Sequence, residues 1–138
     1  MHPDDRDLPG ASLVDIARGV APRRTVMSQY HATGAATGAF MIRKGPFKYV
    51  YYAGMPPQLF DLDADPEETD DLVGRPACEG VVSEMKKKLL EICDPEEVDA
   101  RAKRRQAELL ARNGGREAVI ARGDLGFTPA PGFPADFE

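Results

Sequence analysis

The chain has 138 residues, 30% of them charged, and a formal net charge of −5. That is enough for one small domain with its own core, and the acidic balance argues against a nucleic-acid partner, whose phosphates call for a basic field. No apolar run approaches the ~18 residues of a membrane span, and the opening MHPDDRDLPG lacks the basic and apolar regions of a signal peptide. No membrane partner and a cytoplasmic location are therefore expected. Cys78 and Cys93, with His2 and His31, give neither a disulfide framework nor zinc-type spacing. Cys93 falls on an apolar helical stripe and reads as a buried structural thiol, with a reactive thiol as the alternative.

In chain order, residues 1–24 form a connecting segment rich in Pro, Asp and Arg, with one short helix candidate at Ser12–Arg18. Ser12 is placed to cap it, with Asp15 at the third helical position, and Gly19 and Pro22 stop it. From Thr25 to Leu62 the pattern favours strands: Thr25–His31, Ala39–Lys44, Phe47–Tyr52 and Gln58–Leu62. The small-residue stretch Gly34–Gly38, the pair Gly45-Pro46 and the stretch Gly54–Pro57 connect them. Short strands with tight connections predict an antiparallel meander. Alternation puts Phe47, Tyr49 and Tyr51 on one face and Lys48, Val50 and Tyr52 on the other, so neither face is wholly polar.

The remainder reads as helical. The tetrapeptide DPEE occurs at Asp65–Glu68 and at Asp94–Glu97, with Asp as N-cap, Pro at the first helical position and acids at the positive end of the dipole. Both copies predict helix starts, and exposed caps explain their carboxylates without acid–base catalysis. Val82, Met85, Leu89 and Ile92 recur at helical spacing, with Lys86, Lys87 and Lys88 mainly off that stripe, so a helix over Glu79–Cys93 should cover the sheet. A second helix runs from Pro95 to about Arg112, carries Val98, Ala102, Leu109 and Leu110, and stops at Asn113-Gly114-Gly115. Its basic run Lys103–Arg105 is either a solvated face or, less simply, a nucleic-acid contact. A short helix at Glu117–Ala121 precedes Gly123, and the tail 124–138, DLGFTPAPGFPADFE, reads as extended on a surface. The expected fold class is α+β, a small antiparallel sheet of about four strands packed against C-terminal helices, within residues 25–123.

The segments LPGASLVDIARG, SQYHATGAATGAFMIRKGPFKYVYY and PPQLFDLDADPEETDDL, taken in this order, resemble the C-terminal part of type I sulfatases of the alkaline-phosphatase-like superfamily. The similarity is to the bacterial choline-sulfatase-like and arylsulfatase-like kind. There a G-x-S-L segment, S-E-Y-H-A, a K-Y-x-Y strand and L-Y/F-D-L-x-x-D-P-x-E follow one another. Here they correspond to Gly10–Leu13, Ser28–Ala32, Lys48–Tyr51 and Leu59–Glu68, and the likeness covers most of residues 8–110.

The resemblance implies a sulfuric ester hydrolase that uses formylglycine and a divalent cation, usually calcium. It also locates a departure, because the C/S-x-P/A-x-R nucleophile motif and the metal-binding Asp and Asn residues of the large domain have no counterpart here. The nearest approach, Cys93-Asp94-Pro95-Glu96-Glu97, lacks the Arg and lies at a helix junction. The expectation is thus a C-terminal sulfatase subdomain without catalytic, cofactor-binding or metal residues of its own, inactive alone. Gln29, Tyr30 and His31 stand at the S-E-Y-H-A position, which the resemblance places toward the substrate-pocket rim. Gln29 replaces the usual Glu and removes a negative charge that would suit a cationic substrate. Read without the resemblance, the three are ordinary strand residues. The partners implied are a catalytic sulfatase domain or another copy of the chain in a homo-oligomer, with the tail exchanging between subunits. The alternative function is a free-standing interaction module derived from the same fold, using the aromatic sheet or the tail.

Overall fold

The structure, a computed structural model, describes residues 11–20, 24–32 and 35–123. The backbone divides into two compact units, Met1–Pro95 and Glu96–Glu138.

The first unit opens with a one-turn helix, α1 (Leu13–Ala17), where Ser12 Oγ accepts from the Asp15 N–H at 3.4 Å, the cap its sequence predicts. It buries no side chain, and Leu13 is 80% exposed. Four strands follow: β1 (Val26–Tyr30), β2 (Ala39–Lys44), β3 (Phe47–Tyr52) and β4 (Met55–Asp61). They lie in the order β1-β2-β3-β4, all antiparallel, which is the predicted meander and gives the α+β class.

Turn chemistry fixes the register. Lys44 pairs with Phe47 across Gly45-Pro46, and Gly45 sits at φ 58°, a left-handed value that a Cβ would strain. The β3–β4 connection differs from expectation. Tyr52 pairs with Met55 across Ala53-Gly54, so β4 begins before Gln58 and takes in Pro56 and Pro57. Two prolines are tolerated there because β4 is an edge strand and because the pairing is irregular between Val50 and Tyr52, so these residues need not donate to a regular ladder.

Paired residues share a face, so register sorts the side chains into rows. The row Met27, Ile42, Tyr49 and Leu59 and the row Gln29, Phe40 and Tyr51 lie on one face. Phe40, Ile42 and Leu59 are fully buried there, and Tyr49 is nearly so. Burial also raises the Tyr49 hydroxyl pKa above its ordinary value. Each such side chain contributes roughly 1.5–3 kcal/mol by leaving water. This face is covered by α2 (Glu79–Ile92), which follows a single 3₁₀ turn, Pro76–Cys78, and buries Met85 and Leu89. Ile92, the fourth member of the predicted stripe, is instead 53% exposed, because the helix ends on it. Cys93 caps that end and is half-buried; burial first, and the Asp94 charge second, push its thiol pKa up.

Residues 62–75 correct a second expectation, since the first DPEE opens no helix. Asp65 turns its carboxylate onto its own loop: Oδ2 accepts from the Asp70 N–H at 2.9 Å and Oδ1 from the Thr69 hydroxyl at 3.1 Å. Glu68 takes φ 56°, outside the helical region, and accepts from Lys48 Nζ at 2.5 Å. The loop then runs beside β4. Asp71 Oδ1 accepts from the Leu59 N–H at 3.0 Å, and the Leu72 N–H donates to the Leu59 carbonyl at 2.8 Å. The outer edge of β4 is closed at that point.

The second unit carries α3 (Pro95–Arg112), which starts one residue earlier at the close of the first, and α4 (Gly115–Arg122). The second DPEE does open a helix, with Pro95 as its first residue. Gly114 and Gly115 both adopt φ 86°, the left-handed stop predicted for α3. The Asn113 side chain donates to the Leu109 carbonyl at 2.8 Å and accepts from the Arg122 guanidinium at 3.4 Å, tying the last turn of α3 to the end of α4. The expected extended tail, 124–138, lies outside the described residues.

Candidate functional site

The sheet face opposite α2 carries the row Tyr30, Ala39, Tyr52 and Met55, one residue from each strand. Alanine between two tyrosines leaves a notch, and the row lines an open groove of about 580 Å³ at the end of the sheet. Tyr30 and Met55 are 53% and 54% exposed and add apolar surface to this groove. Two bonds hold the groove's shape. The Tyr52 hydroxyl donates to Gln58 Oε1 at 2.9 Å, and the Thr37 hydroxyl donates to the Ala53 carbonyl at 2.7 Å. Farther along the same face come the row Ser28, Met41, Val50 and Gln58 and the row Val26, Arg43, Lys48 and Phe60, in which Val50 and Phe60 are buried.

The three residues singled out in the sequence do not converge. Tyr30 lines the groove. Gln29 belongs to the opposite, α2-side face through its pairing with Phe40. His31 packs edge-on against Phe40, ring centroids 5.3 Å apart and 80° between planes, which ties it to the core. Sequence reasoning missed Ala39, Thr37 and Met55 as groove residues. Their signal lies in cross-strand register at the strand ends, which a run of neighbouring aromatics does not reveal.

A second cavity of about 360 Å³ lies between the β2–β3 turn and α2, floored by Phe47, Val81 and Met85. A Lys44–Glu84 ion pair stands at its side and holds the Glu84 carboxyl below its usual pKa. In the second unit the basic run is matched by its own helix. Lys103 pairs with Asp99 at 2.8 Å and Arg105 with Glu108 at 3.3 Å. The first is an i,i+4 pair onto a buried carboxylate and the second an exposed i,i+3 pair. Among the described residues no three His, Cys, Asp or Glu side chains come together as metal ligands, and no helix is long and apolar enough to cross a membrane.

No family model matches the chain. It is similar to the choline-sulfatase of Rhizobium meliloti (strain 1021), 43% identical over 49% of this chain and 13% of that protein. It is likewise similar to arylsulfatase K of Xenopus laevis, 39% identical over 54% of this chain and 14% of that protein. Among solved structures, a 2-O GAG sulfatase superposes with a TM-score of 0.51 and 26% identity, over 75% of this chain and 22% of that one. The chain spans about one seventh of the length of the curated relatives it matches. Likeness in sequence and in fold thus coincide on one group: over a small part of their length, the proteins this chain resembles are sulfatases.

Proposed function

We propose that this chain is the C-terminal subdomain of a sulfuric ester hydrolase, without the formylglycine and metal-binding catalytic domain, and that alone it hydrolyses no sulfate ester. The observation that carries this reading is a likeness confined to about one seventh of the relatives, in 138 residues that contain no C/S-x-P/A-x-R. Cleaving a sulfate ester needs an activated nucleophile and fixed positive charge where negative charge develops. Cys93, with its thiol pKa raised and Asp94 beside it, has the reverse environment. Tyr30 is the one residue of the Gln29, Tyr30, His31 trio that we assign to a pocket rim, because it alone of the three borders the groove.

The test is an aryl sulfate assay of the purified chain with and without calcium, alongside a thermal melt. The expected result is a rate equal to that of buffer and a melting temperature unmoved by calcium. Calcium-dependent turnover that co-purifies with the chain refutes the proposal. A second reading, an interaction module, is favoured by one specific observation: the exposed Tyr30 and Met55 on the sheet face opposite α2.

A further inference from the structure

We propose that two copies of this chain pair through β1, antiparallel, about a two-fold axis at Ser28. This deepens the interaction reading above and rests on it. The two edges of the sheet are treated differently. On β4, prolines and the Asp71 and Leu72 bonds to Leu59 block the addition of another strand. On β1, the sequence VMSQY contains no charge, proline or glycine. Among the described residues, the backbone of Val26–Gln29 bonds only to β2.

Which β1 groups face outward follows from the ladder. In antiparallel sheets both backbone groups of a residue point to the same side, and directly opposed pairs alternate between bonded and non-bonded. Leu59 directs both groups away from β3, so its pair with Tyr49 is non-bonded and Tyr49 bonds Ile42. The Ala53 N–H to the Gly38 carbonyl, in step with Tyr49 and Ile42, has the same parity. Ile42 is then non-bonded with Met27, so Met27, and by alternation Gln29, present both backbone groups to the open edge.

An axis at Ser28 sets Met27 of each copy opposite Gln29 of the other, and those residues can exchange both of their free bonds. The same register places Val26 against Tyr30, an aromatic on a β-branched side chain, which is a favourable cross-strand pair. Val26 is 37% exposed and Tyr30 53%, so both have surface to bury. Arg24, the nearest charged residue, falls opposite Ala32, and no like charges meet. Moving the axis to Met27 or Gln29 pushes one end of each strand past its partner's end. Five-residue strands bury less than the ~1,200 Å² of a standard interface, so the dimer is weak and reversible.

Sedimentation of the full chain from micromolar to millimolar concentration is expected to move the mass from one chain to two. In a Cys78→Ser/Cys93→Ser background, Ser28→Cys should form a symmetric disulfide on mild oxidation. Self-opposed residues in a non-bonded pair lie ~4.5 Å apart at Cα, within disulfide reach. Gln29→Cys, which faces Met27 of the other copy, should cross-link far more slowly. Gln29→Pro removes an outward N–H and should abolish the mass shift with unchanged circular dichroism. A chain that stays monomeric at millimolar concentration overturns both the pairing and the interaction reading. A dimer in which Ser28→Cys cross-links no faster than Gln29→Cys, or which survives in folded Gln29→Pro, overturns the pairing and leaves association by another surface.

Discussion

Replacing Leu89 by Ala tests the claim that α2 holds the sheet through very few side chains. Leu89 is fully buried, and with Met85 it makes up the helix's buried contribution. The substitution deletes three carbons, about 2.4 kcal/mol at ~0.8 kcal/mol per buried methylene. The cavity left under a helix that cannot easily collapse onto a sheet brings the loss to roughly 3–5 kcal/mol. Against a total near the low end of the ~5–15 kcal/mol of small domains, that is half or more of the stability. Ile92→Ala, on the same sequence stripe but 53% exposed, should cost below about 1 kcal/mol. Urea denaturation followed by far-ultraviolet circular dichroism and by tyrosine emission, the chain having no tryptophan, measures both. Equal losses for the two variants, or a Leu89→Ala loss under about 1 kcal/mol, would refute the assignment of α2 to the sheet.

Asp71→Ala removes the acceptor that serves both the Leu59 and Val73 N–H groups, each at 3.0 Å. A loss of about 1–2 kcal/mol is expected, with increased association at low temperature as the β4 edge opens. The Asp65 carboxyl is held below its ordinary pKa, first by the Asp70 N–H and further by Thr69 and the Glu68 N–H. Its folded pKa is the lower one, so its stabilisation is present above the normal carboxylate range and is lost as pH falls through the folded value. Melting temperature followed from neutrality to about pH 2 should fall less steeply in Asp65→Asn than in the parent. Parallel acid limbs would show that the loop bonds do not matter.

The strands β2 and β3 and their turn were legible because alternation and Gly45-Pro46 agree. The start of β4 was not, because Pro56 and Pro57 argue for a turn until the strand is known to be an edge with an irregular pairing. The two DPEE copies illustrate a different limit. Identical caps were read identically, yet Thr69, Asp70, Asp71, Gly74 and Pro76 follow the first, while Val98, Ala100, Ala102 and a run of long side chains follow the second. A cap selects a helix only where the next turns sustain one; in the first copy the acceptor goes to Thr69 and Asp70 instead. At the candidate site, the sequence groups Gln29, Tyr30 and His31 as neighbours, and only the strand register and the contact with Phe40 show that Tyr30 lies on the opposite face from Gln29.

The order β1-β2-β3-β4 in space equals the order in the chain. Each strand finds its partner among residues made immediately before it, so closing the sheet spans only short loops and little chain entropy is lost per pairing. During synthesis the meander can assemble hairpin by hairpin as residues emerge, and Met85 and Leu89 then arrive to seal it. Among the described residues every strand is paired with its neighbour in the chain. A sheet so wired forms in the order in which its residues are made.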